Sequence, residues 1–192
     1  MALITMVSLS LLLTLVSPLA TSATVSTTSI PNTFSWSQWV EDLIAQPEKA
    51  LTPSEAVSAA MAAGDKLLSG STLQRQAWCQ KDFTDAPADD AVVCIKYLTQ
   101  IGNEGANCSL GADVFNADLC RSGQAKVVGS RGGNPSPPSN CYDVARTCGL
   151  IFDRCWRADN TVKGSDLCVG NPLWQISITG INDEYEFEFV DQ

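Results

Sequence analysis

The sequence predicts an α+β domain: an antiparallel sheet with two helices packed on one face, stapled by disulfides and preceded by a short helical leader. Three observations carry this. All eight cysteines lie at or beyond position 79, an even count that reads as a disulfide framework. Two stretches repeat apolar residues at helical spacing inside that cysteine-rich part. The stretches around them alternate apolar and polar residues as half-buried strands do.

The chain divides into four parts. Residues 1–23 read as a cleavable signal peptide. Leu3 to Val16 carry no charge and contain seven Leu or Ile, too short a run to span a bilayer, and the small residues Ala20-Thr21-Ser22-Ala23 suit cleavage after Ala23. Residues 24–70 are a leader, Ser/Thr-rich at first and then helical. Ser35-Trp36-Ser37-Gln38 has the form of a reciprocal capping box. Trp36, Trp39, Val40, Leu43 and Ile44 follow on one helical face, stopped by Pro47. Thr52-Pro53-Ser54-Glu55 is a second capping box with Pro53 at the favoured first helical position, opening an Ala-rich helix to about Leu68.

The cysteine-rich domain spans 71–181. Gln74 to Cys79 suits a short strand. Ala91, Cys94, Ile95, Leu98 and Ile101 mark a helix closed by Gly102 as its C-cap. Strands are expected near Val114–Arg121 and Gln124–Ser130, then a Gly/Pro-rich loop from Arg131 to Ser139. A second helix begins at the capping residue Asn140 and runs to about Trp156. Thr161–Val169 and Leu173–Ile181 are the last two strands, the latter with Trp174, Ile176 and Ile178 on its buried face. Residues 182–192 form an acidic tail in which Tyr185, Phe187 and Phe189 alternate with Glu186 and Glu188, as in one more edge strand.

The cysteines stand at Cys79, Cys94, Cys108, Cys120, Cys141, Cys148, Cys155 and Cys168. Cys141, Cys148 and Cys155 are seven residues apart on one expected helix, so their sulfurs leave from one stripe. That spacing advances the helix by about 10.5 Å, beyond the roughly 7 Å between Cα atoms that a disulfide spans. No two of the three can therefore bond to each other. A break at Gly149 would free a local bond.

Composition narrows the chemistry. The sequence has no histidine, which removes Ser-His-Asp and Cys-His machinery, and no C-x-x-C pair to suggest zinc. Gly129-Ser130-Arg131-Gly132-Gly133 lacks the spacing and the lysine of a phosphate loop. No catalytic residue, cofactor or metal is expected. Paired carboxylates remain as the catalytic option, and the adjacent acids Asp89 with Asp90 and Asp183 with Glu184 are the candidates. Asp89 and Asp90 open a helix, where its dipole favours acids for structural reasons. The five tryptophans read as core rather than as a sugar-binding platform. Asn107-Cys108-Ser109 is an N-glycosylation sequon. The net charge of −9 disfavours nucleic acid and anionic membrane surfaces as partners, and no segment after the signal is long and apolar enough for stable membrane insertion.

Trp78-Cys79, Asp90-Ala91-Val92-Val93-Cys94 with Tyr97-Leu98, Leu119-Cys120 and Cys141-Tyr142-Asp143-Val144-Ala145 resemble secreted fungal proteins of the necrosis-inducing extracellular effector type. Ile151-Phe152-Asp153-Arg154-Cys155, Thr161-Val162-Lys163-Gly164 and Gly170-Asn171 extend the likeness, and the Phe34-Ser35-Trp36 to Val57 region is similar to the helical leader of such proteins. The α/β sandwich of that family is similar to that of fungal killer toxins. The resemblance implies a secreted, monomeric, non-enzymatic effector acting outside the cell on a component of a host or competitor surface. A small carbohydrate-active hydrolase using paired carboxylates and an antimicrobial or inhibitor protein are the alternatives. Cys148 and Cys168 look added to a six-cysteine family pattern, which pairs them with each other.

Overall fold

The computed structural model describes residues 34–63, 77–111, 113–132 and 137–181. The signal segment, the Ser/Thr-rich stretch, the residues over which the second leader helix is expected to continue to Leu68, Gln74 to Gln76 and the acidic tail lie outside the described residues. The fold is α+β, as the periodicities predict. Two leader helices, α1 (Trp36–Ala45) and α2 (Pro53–Ala63), precede the cysteine-rich part. It runs β1 (Ala86–Pro87), α3 (Ala88–Asn103), β2 (Asn107–Cys108), β3 (Asn116–Ser122), β4 (Ala125–Arg131), β5 (Ser139–Asn140), α4 (Cys141–Cys155), β6 (Thr161–Val162), β7 (Gly164–Cys168) and β8 (Asn171–Gly180).

The main sheet is antiparallel in the order β3-β4-β8-β7. Its inner face follows from strand period: Val127 sits opposite Ile178 and Gly129 opposite Ile176. Val127, Trp174, Ile176 and Ile178 are fully buried, whereas their neighbours Val128, Gln175 and Thr179 are half-buried. On that inner face α3 brings Ala91, Val92, Ile95 and Leu98, and α4 brings Val144, Ile151 and Phe152, all buried.

Helix α4 is unbroken through Gly149, and Asn140 caps it by accepting from Tyr142 N at 2.9 Å. Gly149 is where α1 crosses α4: a Cβ there would lie 3.0 Å from the Cα of Ser37, so the helices meet backbone to side-chain-free backbone. α1 buries Trp36, Trp39, Val40 and Leu43, with the Trp36 ring 4.7 Å from Phe152 and 5.8 Å from Trp156. The leader thus shares one core with the cysteine-rich part.

The two capping boxes differ in outcome. At α2 the box closes fully: Thr52 N donates to Glu55 Oε2 at 2.8 Å and Glu55 N to the Thr52 hydroxyl at 3.4 Å. The bonds from the Thr52 hydroxyl and N–H hold the Glu55 carboxyl below the usual carboxylate range. At α1 only half forms. Ser35 Oγ accepts from Gln38 N at 3.4 Å, but the Gln38 side chain turns forward to Asp42. The remaining free amides find a stronger acceptor, Asp153 on α4, which takes Trp36 N at 2.6 Å and Ser37 N at 3.1 Å. A carboxylate on a helix N-terminus accepts charge-assisted bonds and meets the positive end of the dipole.

Four further expectations need correction. Gly102 does not cap α3. It stays inside the last turn, where a Cβ would fall 2.3 Å from Tyr142 N, and the left-handed residue past the helix is Gly105 at φ 89°. The expected strand from Gln74 to Cys79 is, among the described residues, a single bridge between Trp78 and Ser165. The expected strand Thr161–Val169 is two strands: β6 pairs with β1, and beyond Lys163 the chain joins β8 as β7. Four tryptophans pack in or against the core, but Trp78 is 46% exposed.

The cross-helix cap yields a test. Asp153→Ala leaves the amides of Trp36 and Ser37 without their acceptor in a half-buried setting, and the loss is about 2 kcal/mol of stability. Urea denaturation followed by tryptophan fluorescence reads it; a midpoint equal to that of the parent protein would show that the cap carries no weight.

Candidate functional site

Three disulfides hold the domain: Cys79–Cys155, Cys94–Cys120 and Cys108–Cys141. They close sequence separations of 76, 26 and 33 residues, which in the chain-entropy account is about 4 kcal/mol apiece. No bond joins two of Cys141, Cys148 and Cys155, as the helical spacing requires. Cys141 reaches β2, Cys155 reaches the segment beside Trp78, and the free thiol of Cys148 is buried. Cys148 and Cys168 are not joined in this structure. Asn107 is exposed on β2 beside the Cys108–Cys141 bond, so the sequon presents its acceptor side chain to solvent.

The candidate carboxylate pair has structural employment. Asp89 Oδ2 accepts from Asn160 Nδ2 at 2.8 Å and Asp90 Oδ2 from Gln124 N at 2.8 Å. They fasten the start of α3 to the 157–160 loop on one side and to the β3–β4 turn on the other, so the two carboxylates face different partners. Asp183 and Glu184 lie outside the described residues. Asp166 is 3% exposed; its Oδ1 accepts from Leu167 N at 2.7 Å, and its Oδ2 has no hydrogen-bond partner. It stands on the inner face of β7, not at a surface cleft.

An open groove of about 400 Å³ lies where α1 crosses α4, lined by Ser37, Gln38, Glu41, Arg146, Leu150 and Val169. The ridge between the helices supplies its charge. Arg146 forks onto Glu41, Nε to Oε1 at 2.8 Å and Nη2 to Oε2 at 3.1 Å, and its Nη1 reaches Asp143 at 2.9 Å. The guanidinium also stacks 4.8 Å above the Tyr142 ring. These carboxylates, Glu41 foremost, push the Arg146 pKa up, so the cation is fixed at every accessible pH. The groove thus presents a serine, an amide and an arginine already paired with two carboxylates.

The edge at β7 offers a second kind of surface. Trp78 is bridged to Ser165, and antiparallel partners share a face; Leu167, two residues on, joins them. Trp78 and Leu167 are 46% and 40% exposed. The Ser165 hydroxyl between them accepts from Gln80 Nε2 at 3.1 Å and Gln175 Nε2 at 2.8 Å. An exposed indole therefore stands beside two ordered side-chain amides, those of Gln80 and Gln175. Sequence reasoning assigned Trp78 to the core. Arg146 and Asp153 carry no local signal either, since their partners Glu41 and Trp36 lie 105 and 117 residues away.

Taken together these features define a disulfide-stapled α+β domain. Residues 74–180 match the family described as a domain of unknown function, DUF8794, and the chain belongs to that family. The match coincides with the cysteine-rich part and leaves the leader helices outside it. No curated protein and no solved structure matches the chain. Among the described residues no helix is long and apolar enough to cross a membrane, and structural disulfides belong to oxidising environments.

A charge cluster beside the site gives a pH test. Asp85 meets Arg157 Nη2 at 2.5 Å and Lys163 Nζ at 3.0 Å, and Arg157 first, then Lys163, holds its carboxyl below the usual range. Such a group lends stability above the ordinary aspartate pKa of about 3.9 and withdraws it as pH falls through the lower folded value. The carboxylate is 44% exposed, so Asp85→Asn costs about 0–1 kcal/mol at neutral pH. Thermal melts of the variant fall less steeply than those of the parent below about pH 4; parallel curves would exclude the linkage.

Proposed function

We propose that this protein is a secreted, non-enzymatic effector or toxin-like protein, which acts outside the cell on a surface component of host or competitor cells. The observation that carries the reading is the use to which the reactive groups are put. Asp89 and Asp90 serve as hydrogen-bond acceptors for the frame, and Arg146 is held by two carboxylates. What remains for a partner is surface: the exposed Trp78 and Leu167 edge and the Arg146 groove. The resemblance to fungal necrosis-inducing effectors supports the same reading, as do the predicted signal peptide and the disulfide framework.

An acidic protein acting on another cell needs recognition by shape and apolar contact, because its net charge of −9 is repelled by anionic headgroups. Exposed aromatic side chains are the strongest single contributors to such contacts. The exposed Trp78 is therefore the residue whose loss weakens target binding most, through contact area rather than charge.

Purified mature protein, infiltrated into plant tissue and applied in parallel to fungal and bacterial cultures, tests the proposal. Necrosis or growth inhibition is expected. It persists in the Asp89→Asn/Asp90→Asn double variant, provided circular dichroism shows the variant folded, and falls at least several-fold in Trp78→Ala. Response in tissue alone marks a host-directed effector, and response in cultures alone an antimicrobial protein. Release of reducing sugar from cell-wall polysaccharide, abolished in the folded acid variant, would overturn the proposal in favour of a hydrolase.

A further inference from the structure

We propose that Cys148 and Cys168 are joined by a fourth disulfide when the protein folds under oxidising conditions. The two residues are brought together by the packing of α4 on β7. Cys148 stands midway along α4 and is fully buried; Cys168 ends β7 and is 1% exposed. Their chain neighbours are already bonded, since Val169 N donates to the Thr147 hydroxyl at 2.9 Å. Further down the same helix the Cys155 sulfur and the Ile151 side chain lie against Gly164 at the start of β7. Helix and strand thus run side by side in a register that sets Cys148 over the Cys168 end. Burial pushes the Cys148 thiol pKa up, and the neighbouring Cys168 sulfur adds to the effect.

The step is a two-electron oxidation. The two thiols lose two protons and two electrons, one S–S bond forms, and the acceptor is a disulfide, that of glutathione or of a thiol–disulfide oxidoreductase, which leaves as two thiols. The reaction passes through a mixed disulfide between one cysteine and the oxidant, and the second cysteine displaces the oxidant's thiol. Thiolate is the attacking species, and in the docked state the Cys148 thiolate is disfavoured. Exchange at Cys148 therefore precedes docking of the middle of α4, and the finished bond is sealed from reductant. With it, all three cysteines of the α4 stripe are tied: to Cys108 at the first turn, to Cys168 at the middle and to Cys79 at the last.

The inference does not depend on what the protein acts upon. Protein secreted from a eukaryotic host is unfolded in guanidinium with an alkylating reagent and no reductant, then digested and mapped. No alkylated cysteine is expected, with a peptide containing Cys148 linked to one containing Cys168 and separated only after reduction. Alkylation of both residues, or a link from either to another cysteine, would overturn it.

Discussion

A helix advances by about 1.5 Å per residue and returns to the same side after about 3.6, and in α4 three cysteines seven residues apart turn that arithmetic into a constraint. One stripe of the helix has to face three different places at three heights. Cys141 finds β2 and Cys155 finds the segment beside Trp78, while Cys148 sits between them against β7. Val144, Ile151 and Phe152 ride on or beside the same stripe and fill the space over β8. The sheet, the leader and the segment before β1 all take their position from this helix. α1 does so through Gly149, which allows the close crossing, and through Asp153, which caps it.

This arrangement explains why the leader belongs to the same compact body although the family match begins only at residue 74. Trp36 inserts between Phe152 and Trp156, and burying an aromatic of that size contributes about 1.5–3 kcal/mol. The cap from Asp153 then fixes the angle at which the helix arrives. The groove holding Arg146 lies beside the crossing: α1 meets α4 at Gly149, and the Glu41–Arg146 fork ties the same two helices together nearby.

What could be read from the sequence was whatever depends on near neighbours. The α4 boundaries, the Asn140 cap, the complete Thr52–Glu55 box, the inner face of β8 and the ban on bonds within the cysteine stripe all follow from spacing. What escaped depends on distant partners. Nothing near Gln38 shows that Asp153 will occupy the amides the box leaves open. Nothing near Lys163 shows that β6 will pair with β1 while β7 pairs with β8. Gly102 has the signature of a cap, yet its missing side chain is used for the approach of Tyr142 N, and the turn passes to Gly105. For the site the division is sharper. The absence of histidine and the place of Asp89 and Asp90 in the first turn of a helix were legible, whereas their partners Asn160 and Gln124, the exposed Trp78 and the bonds of Arg146 arise only when the chain has folded.

If α4 is the element on which the others depend, its amides open only when the whole domain unfolds. Native-state hydrogen exchange across the chain measures this directly. Amides from Ala145 to Phe152 are expected to exchange with the slowest class, together with the centres of β4 and β8, and more slowly than those of α2. Exchange of these α4 amides through a smaller opening, with β4 and β8 still protected, would contradict the account.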